Sequence, residues 1–241
     1  MNLWKAIQEN VSFLLICVAI IAALALLARC AERFLLPQRR KVSPARRISL
    51  IAMCGAIAAA LHLLDFPLLF LAPEFYKLDF SELPVILCAF YLGPSAGVAC
   101  EVVKILLKLL LKGTTTAFVG DFANFVVGCS FVLPASITYH WKKNRATAMG
   151  GLALGTGIMT VFGSLFNAVY LLPKFAQLYG MPLDVIVSMG TQINGRIHSV
   201  STLVLFAVAP LNLIKGTLIS VLAMLLYKRV EKPLFERTHV S

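Results

Sequence analysis

Ala209-Pro-Leu-Asn-Leu-Ile-Lys-Gly-Thr-Leu-Ile-Ser-Val-Leu-Ala-Met-Leu-Leu-Tyr227 is an apolar run broken near its head by Asn212 and Lys215, three residues apart. A run of this length, without period-two alternation, reads as a membrane-spanning helix, on which residues three apart share a face. A lysine inside such a helix costs roughly 2.5–3.5 kcal/mol on insertion scales, so its default reading is functional. Either a protein acid or a ligand is expected to meet that face.

The rest of the chain extends this reading. It has 241 residues, 59% hydrophobic and 14% charged, where a soluble domain would be roughly 45–50% apolar and about 25% charged. The expected class is all-α, a polytopic membrane helical bundle. Seven spans are drawn at residues 11–36, 48–71, 82–92, 98–111, 118–141, 149–172 and 203–227. The formal net charge of +11 does not point to nucleic acid, because the bases gather between apolar runs. Arg39, Arg40, Lys41, Arg46 and Arg47 form one cluster, Lys142, Lys143 and Arg145 a second, Lys228, Arg229 and Lys232 a third. All three fall on one side, which the positive-inside rule makes cytoplasmic. The expected location is the cell membrane, multi-pass, with the N-terminus outside and the C-terminus in the cytoplasm. The first span has no small-residue cleavage site before its bases and is read as a retained helix. Residues 72–81 and 173–202 are the long external segments; the second is expected to carry a short helix from Pro182 to Gly190, interfacial or a lid over a pocket.

The chain has no GxxxxGK[ST], HExxH or GxSxG motif and no paired-carboxylate arrangement, so no catalytic residue and no metal ligand is assigned. The six cysteines read as buried thiols. Polar residues at membrane depth are more informative. Glu101, Lys104, Lys108 and Lys112 share a helix face. Either Glu101 and Lys104 pair internally, or Lys104 lines a polar cavity. Asp121 and Asn124 share a face, as helix cap or cavity wall. Asn167, Asn212 and Lys215 converge near one depth, and their donors and acceptors suit a ring edge of alternating carbonyl and N–H groups. Ala52, Ala56 and Ala60 recur every four residues, for internal packing or for docking a partner helix.

Tyr76-Lys-Leu-Asp-Phe-Ser-Glu-Leu-Pro84, Leu92-Gly-Pro-Ser-Ala-Gly97, Gly120-Asp-Phe-Ala-Asn-Phe-Val-Val-Gly-Cys-Ser-Phe131, Asn167 to Pro173 and Pro210-Leu-Asn-Leu-Ile-Lys-Gly216 together carry a resemblance. They resemble the riboflavin-specific substrate-binding subunits, or S components, of energy-coupling factor (ECF) transporters. The resemblance implies a six-helix S-component core, here with one extra N-terminal transmembrane helix. It divides the chain into residues 1–46 (the extra helix and a basic loop), 47–230 (the substrate-binding domain) and 231–241 (a short tail). It implies riboflavin as transported ligand with no cofactor. It also implies an energising module of two cytoplasmic ATPases and a transmembrane coupling protein, so that this chain is not itself an enzyme. It places Asn167, Asn212 and Lys215 on the flavin ring and Leu78, Asp79, Phe80 and Ser81 in the closing loop, with Ala52 and Ala56 facing the coupling protein. Lys104 and Asn124 join the candidate substrate contacts and Ala60 the docking stripe. The rival readings are an S component for FMN or another vitamin, a membrane enzyme, and a scaffold without a small-molecule ligand.

Overall fold

The computed structural model describes residues 3–35, 42–114, 116 and 118–235. Arg39, Arg40 and Lys41, the side chains of Lys228 and Lys232, and the tail beyond 235 lie outside the described part. The chain forms α1 (Leu3–Leu35), α2 (Pro44–Leu63), α3 (Glu82–Leu92), α4 (Pro94–Lys112), α5 (Val119–Lys142) and α6 (Arg145–Phe166). A π-helical turn, Asn167–Leu171, runs from α6 into α7 (Leu172–Tyr179), and α8 (Leu183–Ile193) follows. The last span combines α9 (Val200–Leu203), a second π turn (Val204–Val208) and α10 (Ala209–Phe235).

Five of these helical stretches are long and apolar enough to cross a membrane: Leu15–Phe34, Pro44–Leu63, Val119–Lys142, Arg145–Tyr179 and Val200–Tyr227. The other two predicted spans depart for physical reasons. α4 is 19 residues long but carries Glu101, Lys104, Lys108 and Lys112. α3 has only 11 residues, a rise of about 16 Å, because the loop before it lies over the bundle and delivers the chain part-way down.

That loop corrects the second predicted span, which was expected to reach Leu71. α2 ends at Leu63, where Asp65 and then Pro67 stop the helix, a proline disfavouring helical backbone at the residue before it. Phe66–Pro67 (β1) then pairs antiparallel with Lys77–Leu78 (β2), Phe66 opposite Leu78. Residues 64–81 are therefore one folded lid.

The six spans after α1 close a ring: α5 packs on α6, α6 on α10, α10 on α3, α3 on α2, α2 on α4 and α4 on α5. The additional helix α1 lies outside this ring against α4 and α5, burying Cys17, Ala28 and Ala31. Near its end the Glu32 carboxylate accepts the Ser95 N–H at 2.7 Å, supplying a cap that α4 lacks from its own N-terminus. Arg47 of α2 donates to the Leu92 carbonyl at 3.3 Å and to Ser95 Oγ at 2.7 Å. Gly93 makes the junction possible: its φ is +106°, and a Cβ there would sit 2.6 Å from Glu32 Oε1.

Candidate functional site

At the end of the bundle opposite that junction lies a cavity of about 840 Å³, walled by α2, the lid, α3, α4, α5, the two π-turn helices and α8. This volume suits a small organic ligand. Asn124, Asn167, Asn212, Lys215 and Asp79 all line it, as do His62, Tyr76, Glu82 and Asp121. The two π turns supply Asn167, Leu171 and Val208 to its wall. Such turns are frequent at functional sites. α8 adds Met189, Gln192 and Ile193, so the short helix expected in residues 173–202 walls the pocket. It runs to Ile193 rather than stopping at Gly190, which is buried instead because a side chain there would strike Leu203.

Asn167 is held from two sides. Tyr76 of the lid donates its hydroxyl to Asn167 Oδ1 at 3.0 Å, and Asn167 Nδ2 donates to the Gly163 carbonyl at 2.7 Å. Burial pushes the Tyr76 phenol above its usual range, so it stays a donor. Asn212 differs: its Nδ2 is buried and finds no partner among the described residues. Gly163 lets it approach, since a Cβ there would lie 2.8 Å from that nitrogen. Asn124 Oδ1 is likewise buried and unpartnered. Asn124 and Asn212 thus both line the cavity and each keeps a buried polar atom without a partner among the described residues, an arrangement costly to leave unpaired.

Lys215 meets protein acids: its Nζ lies 3.0 Å from Asp79 Oδ2 and 3.0 Å from Glu82 Oε2. Glu82 turns its other oxygen to Lys104 Nζ at 3.3 Å, and Lys104 pairs with Glu101 at 2.6 Å. His62 Nδ1 is 3.4 Å from Asp79 Oδ2. Burial opposes ionisation of Asp79, but Lys215, then His62 and Lys104, outweigh it and hold the carboxyl well below the usual range.

Several expectations are corrected. Lys104 is fully buried behind Glu82 and takes no part in the cavity wall; it is the internal partner of Glu101. Leu78, Phe80 and Ser81 also stand outside that wall. Leu78 is buried under the lid, and Ser81 Oγ accepts from Lys104 at 3.2 Å. Lys108 and Lys112 are engaged at the mouth, Lys108 with Asp121 and Lys112 with Asp65. Asp121 also accepts from Thr114 Oγ1 at 2.8 Å. Sequence reasoning missed Glu82, His62 and Tyr76; the signal was an acid heading an apolar run, within a motif whose Tyr76 has a polar tip. Ala52, Ala56 and Ala60 are all exposed on α2. Packing of α2 on α4 uses the opposite face, where Gly55 leaves no room for a Cβ against Val103.

Residues 46–227 match the profile of the ECF transporter, substrate-specific component, family. The chain belongs to this family. It is 37% identical over 185 residues to the riboflavin transporter RibU of Staphylococcus aureus, covering 77% of this chain and 90% of that protein. It is 32% identical over 194 residues to the riboflavin transporter FmnP of Bacillus subtilis, covering 80% and 95%. A solved S component of a bacterial ECF transporter superposes with a TM-score of 0.62 at 36% identity, covering 80% of this chain and 99% of that one. The S-component match begins after α1, so the extra helix stands outside the family's common part.

Proposed function

We propose that this S component binds riboflavin in the cavity, with Asn124, Asn167, Asn212 and Lys215 on the polar edge of the ring and Asp79 in the lid fastening Lys215. The observation that carries the reading is that three carboxamide residues, Asn124, Asn167 and Asn212, line one cavity with a lysine. A flavin edge alternates carbonyl acceptors with an N–H donor, and carboxamides offer both kinds of partner. The names of the two relatives point the same way.

The cavity faces outward in this reading, with the N-terminus outside and the C-terminus in the cytoplasm. Energy comes from partner ATPases, and a transmembrane coupling protein docks on the exposed stripe of Ala52, Ala56 and Ala60. Riboflavin is cargo, and no cofactor is assigned. Residues 47–230 form the substrate-binding unit. Titration of riboflavin into the full-length protein in detergent tests the assignment. Saturable fluorescence quenching near one ligand per chain is expected, displaced less well by FMN than by riboflavin. Folded protein that leaves riboflavin fluorescence unchanged refutes it.

A further inference from the structure

From behind the cavity wall into it, the buried charges alternate in sign: Glu101, Lys104, Glu82, Lys215, Asp79. They come from α4, α3, α10 and the lid. Glu82 bridges the two lysines with different oxygens, Oε1 toward Lys104 and Oε2 toward Lys215. An ammonium has three protons to give. Lys104 has three oxygens within reach: it ion-pairs with Glu101 at 2.6 Å and donates to Glu82 at 3.3 Å and to Ser81 Oγ at 3.2 Å. Lys215 has two among the described residues, Asp79 and Glu82, and it alone of the two lysines lines the cavity.

We propose that Lys104 and Glu82 are positioning residues for substrate recognition: they set Lys215 so that its third proton points into the cavity. The inference rests on the flavin reading above. Lys104 never touches the ligand; it acts through Glu82. In a low-dielectric interior, charges hold one another strongly. With Lys104 removed, Glu82 has only Lys215 as counter-charge. That single ammonium then serves two carboxylates and is drawn back among them, away from the ligand edge. Ser81, whose Oγ accepts from Lys104, also donates its backbone N–H to Asp79 Oδ1 at 2.8 Å. Lys104 therefore steadies both the acid below Lys215 and the acid above it.

The test uses the full chain in detergent. Riboflavin and its 2-thio and 4-thio analogues, in which sulfur replaces a ring carbonyl oxygen and accepts hydrogen bonds weakly, compete for the site. The wild type is titrated first; if it binds no flavin, the functional reading fails and this inference falls with it. A wild type that prefers at least one carbonyl over its thione reports the third proton, and Lys215→Met sets the value without it. The double variant Lys104→Met/Glu101→Gln removes one charge of each sign, so the cluster's net charge is kept. Its riboflavin affinity is expected to fall about tenfold, the size of a 1.4 kcal/mol loss, and its carbonyl preference to drop to that of Lys215→Met. Glu82→Gln, which keeps the size of the side chain, is expected to lose the same preference. Unchanged affinity and preference in either folded variant overturns the proposal. So does an equal loss for riboflavin and both thiones, which is the mark of a merely structural role.

Discussion

Along each helix, two regions bury opposite kinds of side chain. At the closed end, Leu50 of α2, Ile86 of α3, Phe131 of α5, Leu152 of α6 and Ile219 of α10 form one apolar cluster. Between about one and four turns along the same spans, His62, Glu82, Asn124, Asn167 and Lys215 line the cavity. Apolar packing is non-directional and tolerates repacking. A buried ion or amide demands a partner at a set distance and angle. The closed end therefore holds the bundle together, and the cavity end converts that rigid frame into placed donors and acceptors.

The contrast can be broken at either end. Lys104→Met leaves Glu101 and Glu82 buried without their shared cation, and unfolding in detergent should show a loss of about 3–5 kcal/mol. Much of that loss should return in Lys104→Met/Glu101→Gln. Leu152→Ala opens a void in the closed end, with an expected cost of about 2–5 kcal/mol. Folded Leu152→Ala protein should bind riboflavin with wild-type affinity; a large change in affinity would mean that the two ends are not separable. Lys215→Met removes a charged donor, and riboflavin binding is expected to weaken by about 1–3 kcal/mol. Unchanged affinity in that variant would remove Lys215 from the site.

The acid dependence sharpens the comparison further. The Asp79 carboxyl is depressed in the folded protein. Its stabilising effect is complete above the unfolded carboxylate value, about 3.9, and is lost as pH falls through the lower folded value. The gap in thermal stability between wild type and Asp79→Asn should hold steady near neutral pH and close as the solution is made strongly acidic. A gap that does not change with pH would contradict an ionised Asp79. The smallest effect on folding is expected on α2, where Ala56→Leu should shift stability by no more than about 0.5 kcal/mol and leave riboflavin binding intact. Co-purification with the energising module should fail in that variant; full association would move docking off the alanine stripe.

Much of the fold was legible because span length reports directly on the bilayer. The lid was less so. The apolar run through Leu71 hid the stop that Asp65 and Pro67 impose, since hydropathy does not record backbone geometry. In the site, Asn167, Asn212 and Lys215 stood out as polar residues in apolar runs, and the structure places all three on one cavity. The partners of Lys215 were not legible. Asp79 is 136 positions away from it, and spacing along a chain carries no information on contacts between distant segments. Lys104 misled for a related reason: a lysine inside a span signals a polar neighbour, but not whether that neighbour is a ligand or Glu101.

The most direct test of the central claim compares Asn212→Leu with the wild type by riboflavin titration and thermal unfolding on the same preparations. Asn212 Nδ2 is buried without a partner among the described residues, so the protein gains little from it when no ligand is bound. The account predicts riboflavin affinity lower by about 1–3 kcal/mol, the cost of a buried group left unpaired, with stability of the unliganded protein unchanged or raised. Wild-type affinity in Asn212→Leu, with the fold intact, would contradict it.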